Sequence, residues 1–282
     1  MFVIIGSVVI LGCLVAGFTM EGGKIPALIQ PAELIIIAGA ALGSLLIGNP
    51  PSVLTALLKS ILGLLKPNPY NKTVFTRLLK MLYEISTQTR REGLMSLENH
   101  LVDPQKSAIF TRHPQFLANH HAVGFLSDGL RLIVDGITPF ALDELMEADL
   151  EARRTEEHRI PGILSKTGDA MPGFGIVAAV MGVVITMSFV GGEAEVIGEK
   201  VGAALVGTFL GVLLCYGFFQ PLSQACEGRG KSEEQYMMCI RAGLLGIARG
   251  DTPLMVADFA RRSIEPSFRC SFDDLEKAIK EG

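Results

Sequence analysis

Residues 171–190 read MPGFGIVAAVMGVVITMSFV, 20 positions without a charge. As an α-helix rising ~1.5 Å per residue, this stretch reaches ~30 Å, the thickness of a bilayer's hydrocarbon core. Three further uncharged runs stand elsewhere in the chain: Phe2 to Phe18, Leu34 to Gly48 and Val201 to Gln220. The run from Leu34 falls short of a full crossing unless Pro31 to Glu33 extend it. In hydrocarbon every backbone polar group must be satisfied within the segment, so such runs fold as helices. The fold class that follows is all-α: an integral membrane protein with four transmembrane helices and a helical cytoplasmic domain.

Hydrophobic residues make up 49% of the 282 and mean hydropathy is +0.40, yet 19% of residues are charged. A soluble domain of that hydropathy is unusual, and the charge is set apart from the apolar runs, crowding Pro51 to Lys166. Of the 25 Lys and Arg, 14 lie between Lys59 and Lys166 and nine from Arg229 onward. Only Lys24 and Lys200 remain, in the short loops Thr19 to Ala32 and Gly191 to Lys200. The positive-inside rule then places both termini and the long charged segment in the cytoplasm. The expected organisation is 1–49 for the first two spans, 50–170 for a cytoplasmic helical domain, 171–221 for the last two spans and 222–282 for a C-terminal helical region. The first run has no basic n-region and no A-x-A-like site, so it reads as a retained span. The sequon Asn71-Lys72-Thr73 is idle on the cytoplasmic side.

The charged segment is patterned as helices. Val74, Leu78, Leu79, Leu82 and Ile85 recur at helical spacing, as do Phe125, Leu126, Leu130, Leu132 and Ile133. Asn71 suits an N-cap and Gly93 a break. From Thr138 to His158, acids at Asp143, Glu144, Glu147, Asp149 and Glu151 precede bases at Arg153, Arg154 and Arg159. That order suits a helix macrodipole, with Pro161 ending or kinking the helix. Past the fourth run, the helix is expected to continue through Pro221, and Ser271 to Lys280 to form a short exposed helix.

Small residues stud the spans. Gly39 with Gly43 and Gly207 with Gly211 form G-x-x-x-G pairs that let helix backbones approach closely. No ionisable residue lies deep in any run, although a proton or cation pathway usually needs an ionisable relay, so if ions cross here a second chain must supply it. Glu33 is expected at the start of the second span, where a helix N-terminus and interfacial water tolerate its charge. The remaining polar groups are Thr186, Ser188, Thr208, Cys215 and Tyr216, with Thr186 and Ser188 read as bonding back to their own helix.

Residues 225–232, ACEGRGKS, approach a phosphate-binding loop, but the leading Gly is Ala and an apolar helix precedes it, so nucleotide binding is rejected. His120 and His121 point to different helix faces with no metal-ligand spacing nearby. The five cysteines form no C-x-x-C pair. No enzyme, cofactor, metal site or nucleic-acid partner is expected.

Three segments carry a resemblance over essentially the whole chain. Gln30 to Gly39 resembles the second-span start, Met171 to Val184 the third span, and Val206 to Leu222 the fourth span, of the MotA family of flagellar stator subunits, in the MotA/TolQ/ExbB proton channel superfamily. ExbB and TolQ share the small-residue pattern but usually have three spans, so the fourth span and the long insert favour MotA. The resemblance implies a bacterial inner-membrane protein, five copies of which surround two copies of MotB, whose single membrane helix supplies the missing acid, an Asp. It implies that Pro172 and Pro221 stand at the cytoplasmic end of the channel, where protonation becomes movement. Simple helix kinks are the alternative for both.

The same resemblance assigns Arg90 and Glu98 to contact with the rotor protein FliG; without it they read as a solvated helix face. Arg91 departs from the commoner single base, and Asp149 matches an acid of some relatives. Ala179 stands where sodium-driven relatives have Thr, implying proton use, and Thr208 is shared by both kinds and lines the path. The competing readings are an ExbB-like energiser of outer-membrane transport and a passive membrane scaffold.

Overall fold

The computed structural model describes residues 2–280. It divides into two compact units, one drawn from residues up to 67 together with 157–228, the other from 68–156 and from 229 onward. Helices run in the order α1 (Phe2–Met20), α2 (Pro31–Gly48), α3 (Pro51–Gly63), α4 (Lys72–Glu92), α5 (Glu98–Val102), α6 (Pro114–Leu117), α7 (His120–Val134), α8 (Pro139–Met187), α9 (Ala194–Leu213), α10 (Gln220–Ala248), α11 (Pro253–Arg262) and α12 (Phe272–Lys280). Among the described residues there is no strand.

The first unit holds the apolar runs. Four helical stretches, 2–20, 25–48, 139–187 and 194–248, are long and apolar enough to cross a membrane. Pro31 starts α2 at a position where a missing N–H costs nothing, and this supplies the residues that Leu34 to Gly48 lacked. None of α1's residues is buried in the single chain, and Ile47 of α2 is 90% exposed. Faces this apolar suit lipid or other subunits rather than water. The unit's own core is small: Ile37, Ala41, Met171, Ala178 and Cys215.

The second unit has a conventional core. The Asn71 side chain accepts from the Val74 N–H at 3.1 Å, capping α4 as expected. Phe75, Leu78, Leu79, Leu82 and Ile85 form its buried face, and α11 and α12 pack against the helix. A Cβ at Gly243 of α10 would stand 2.7 Å from Leu82 Cδ1, so the bare glycine lets α10 lie close to α4. Gly93, at φ 83° and ψ 167°, takes a conformation that glycine adopts readily and L side chains rarely do, and so stops α4; its N–H donates to the Thr89 carbonyl.

Pro161 does not end its helix: α8 runs 49 residues, with Pro161 and Pro172 inside it. Proline removes one N–H from the helical ladder, yet α8 continues, and at this turn a neighbouring helix holds it: the Ser223 hydroxyl of α10 donates to the Pro161 carbonyl at 2.8 Å. Arg153, Arg154 and Arg159 therefore lie mid-helix, where a C-terminal dipole offers them nothing. The last long helix does continue past Pro221, and Gly228 and Gly230 sit inside it. A π-helical stretch, Leu214–Phe219, joins α9 to α10 immediately before Pro221. A proline ring clashes with the carbonyl four residues back, here Gly217, and the wider π turn relieves that clash.

Candidate functional site

Small residues of α8 and α9 form a seam in the first unit. A Cβ at Gly175 would stand 2.7 Å from the Gly207 carbonyl oxygen, and one at Gly211 would stand 2.5 Å from the Met171 carbonyl oxygen. At Gly182 it would meet Ala204 Cβ at 2.7 Å. Backbones this close leave no room for side chains, so the Gly207 and Gly211 pair serves packing within the chain. Gly39 and Gly43 of α2 have nothing within 4 Å of such a Cβ. The same G-x-x-x-G spacing thus does two different things.

Glu33 departs from its expected setting. It lies in the first turn of α2, but it is only 7% exposed, and Oε2 has no hydrogen-bond partner among the described residues. A Cβ at Gly207 would stand 2.5 Å from Oε2, and one at Gly182 would stand 3.7 Å from Oε1. The carboxyl therefore lies over two bare glycines of α8 and α9. Sequence reasoning placed it in interfacial water because its approach to Gly207 is not a local property; the pairing of an acid with facing glycines was the available signal.

Ala179 and Thr208 follow Ala178 and Gly207 of the seam and are half-buried. Thr186 bonds back to the Gly182 carbonyl at 2.8 Å and Ser188 to the Ile185 carbonyl at 2.6 Å, as expected. Pro172 is half-buried, one residue from the Met171 carbonyl that Gly211 approaches; Pro221 is exposed beside the π stretch. Nearby, the Gln220 amide donates to Asp169 Oδ1 at 2.7 Å, tying α10 to α8.

The remaining predicted residues lie in the second unit. Arg90 and Arg91 occupy the last turn of α4 and Glu98 the first turn of α5, all exposed. Basic groups at one helix end and an acid at the start of another suit both dipoles. Asp149 accepts from Arg153 Nε at 3.1 Å, and the Arg153 guanidinium lies over the Phe125 ring.

A denser charge network joins α8 to α10. Arg154 donates to Glu234 at 2.5 Å, to Glu151 at 3.0 Å and to Glu147 at 3.1 Å. Arg241 pairs with Asp143 at 2.5 Å and also with Glu147. The hydrogen bonds that the Arg154 guanidinium donates to Glu151 and Glu234 hold it firmly charged, raising its pKa. The acid-then-base order of α8 therefore serves lateral pairing. Residues 225–232 lie within α10, where backbone N–H groups point along the helix and cannot cradle a phosphate. No group of three or more potential metal ligands occurs among the described residues.

Comparison with known proteins places the chain. A family model described as motility protein A N-terminal matches residues 4–93, and one for the MotA/TolQ/ExbB proton channel family matches residues 118–238. Motility protein A of Escherichia coli (strain K12) is 37% identical over 281 residues, covering 99% of this chain and 95% of the relative. Chemotaxis protein LafT of Vibrio parahaemolyticus is 36% identical over 98% of each chain. A solved structure of C. jejuni MotAB shares the fold, with a TM-score of 0.78 at 20% identity, covering 95% of this chain and 98% of that one.

Proposed function

Because this chain belongs to the MotA family, we propose that it is the flagellar stator subunit that forms a proton channel with MotB and couples proton flow to torque on the rotor. The observation that carries this reading is the full-length relationship to motility protein A on a chain with four membrane-length helices. It is a multi-pass protein of the inner membrane, and its family is one of channels and motors rather than enzymes. The ExbB-like alternative is disfavoured by the match of the N-terminal helices to a motility-specific model.

In the finer reading, five copies surround two of MotB, and both termini lie in the cytoplasm, as the basic residues require. Thr208 and Ala179 line the path to MotB's Asp, a reading supported by their half-buried positions next to the seam of α8 and α9, with Ala179 marking proton rather than sodium use. Pro172 and Pro221 convert the protonation of that Asp into movement. The π stretch before Pro221 supports this, because π turns within helices are frequent at functional sites. Arg90, Glu98 and, more weakly, Asp149 face the rotor protein FliG, where rim charges steer a transient partner.

The test is soft-agar swimming of a strain lacking this protein, complemented by wild type, by Pro172→Leu, or by Arg90→Glu with Glu98→Lys. Flagellated but paralysed cells, rescued by wild type alone, are expected. Motility should collapse with a protonophore that leaves the sodium gradient standing. A deletion strain that swims normally but loses outer-membrane uptake would overturn the stator reading in favour of the ExbB-like one.

A further inference from the structure

Glu33 is an acid in a membrane-spanning unit that the stator reading leaves without a task. It comes from α2, yet both carboxyl oxygens lie against α8 and α9, over Gly182 and Gly207. Ala178 and Ala204 stand beside these glycines: a Cβ at Gly207 would lie 3.2 Å from Ala178 Cβ, and one at Gly182 would lie 2.7 Å from Ala204 Cβ. Oε2 has no partner among the described residues, and the residue is more than nine-tenths buried.

An ionised carboxylate in such a place is costly unless a cation or several donors compensate it. The charged groups of the packed elements nearest along the chain are Glu21 and Lys24 before α2, Lys166 and Asp169 on α8, and Glu193, Glu195, Glu199 and Lys200 at the start of α9; the other charges of α8 lie further back, at Arg159 and before. None of the described ones forms an ion pair with Glu33, and Lys200 lies over the Phe189 ring instead. Along α9, Lys200 is seven residues from Gly207, a rise of ~10 Å. Along α8, Asp169 is 13 residues from Gly182, a rise of ~20 Å. Glu33 belongs to no group of three or more His, Cys, Asp or Glu among the described residues, the kind of ligand set that a hard metal cation draws on. A proton needs only the carboxyl.

We propose that the Glu33 carboxyl is a proton-exchanging site of this chain, set in the cradle that Gly182 and Gly207 leave open. A water molecule carrying the proton reaches Oε2 along that cradle. One O–H bond forms on the carboxylate as one breaks on hydronium, and the reverse step returns the proton to water further along the seam, towards Ala179 and Thr208. The carboxyl alternates between neutral and charged, with no other bond made or broken. The glycines serve this role directly, since a methyl at Gly207 would occupy the space of Oε2 itself. The proposal rests on the channel reading for its purpose, though not for its chemistry.

The test uses the full-length chain assembled with its one-span partner, purified and reconstituted in vesicles, as wild type, Glu33→Gln and Glu33→Asp. Proton influx under an imposed potential is followed with a pH-sensitive dye, and carboxyl protonation by infrared difference spectroscopy across pH. Glu33→Gln is expected to assemble normally, to lose a titrating carboxyl band and to lower influx about 100-fold, the scale of a positioned proton-transfer group. Glu33→Asp, which keeps the acid but withdraws it from the cradle, is expected to shift the midpoint of that band. Wild-type influx in Glu33→Gln, or an unchanged midpoint in Glu33→Asp, would overturn the proposal. If wild type itself conducts nothing, the channel reading fails; the titrating band still decides whether Glu33 exchanges protons.

Discussion

Arg154 of α8 and Glu234 of α10 meet at 2.5 Å, 80 residues apart in the chain, and the same guanidinium also reaches Glu147 and Glu151. Arginine suits this position because its planar fork addresses three carboxylates in fixed directions, which an ammonium cannot do. Both partners are largely shielded from water, so the pair escapes the screening that makes surface ion pairs worth little.

Arg154→Ala is therefore expected to destabilise the second unit by about 1.5–3 kcal/mol, the range for hydrogen bonds to charged groups. Arg154→Lys should recover only part of the loss. Thermal melting of the detergent-solubilised complex checks both. Equal stability of wild type and Arg154→Ala would show that the network is dispensable.

Gly211 and Gly39 sit in identical motifs but opposite surroundings. Gly211→Ala drives a methyl against the Met171 carbonyl oxygen, a backbone atom that cannot swing aside, so α8 and α9 must separate. Overpacking of this kind costs about 1–3 kcal/mol, and loss of motility and of assembled complex is expected. Gly39→Ala meets nothing within the chain. A loss of assembly from Gly39→Ala, with the single chain still inserted, would mark that face of α2 as a subunit contact.

Reversing exposed charges should separate force transfer from assembly. Arg90→Glu and Glu98→Lys lie at helix ends on the surface, where each charge is worth about 0–1 kcal/mol. Singly they are expected to narrow the swimming ring. Together they should abolish it, while the amount of complex in the membrane stays at the wild-type level by immunoblot. A parallel fall in complex would refute a rotor-facing role.

His113 gives the second unit a pH dependence of definite sign. Burial pushes its imidazole down from the ordinary value; Glu84, 3.5 Å away, opposes this, while Lys80 and Arg112 add to it. The unfolded chain takes up this proton near pH ~6.5 and the folded one only at lower pH. Stability is thus fully present above that point and falls as pH drops below it, by up to about 1.4 kcal/mol per pH unit. Melting between pH 7.5 and pH 5.5 tests this, and His113→Gln should flatten the slope.

The membrane spans, the helical character of the rest and the Asn71 cap were legible in the amino-acid sequence because each depends on neighbours within one or two turns. A bilayer removes every backbone alternative to the helix, so an uncharged run of sufficient length decides its own structure. The tie that holds α8 at Pro161 was not legible, because the hydroxyl that donates to the Pro161 carbonyl comes from Ser223, 62 residues away. Nor was the use of the α8 charges, whose acids Asp143 and Glu147 pair with Arg241 and whose Arg154 pairs with Glu234. Glu33 shows the division most sharply. Its position at the start of a span was plain from the sequence, whereas its burial over Gly182 and Gly207 was decided by the tertiary structure. Helical periodicity says which face a residue occupies, but the chemistry of a buried carboxyl is set by what packs against that face, and packing joins residues that no local pattern relates.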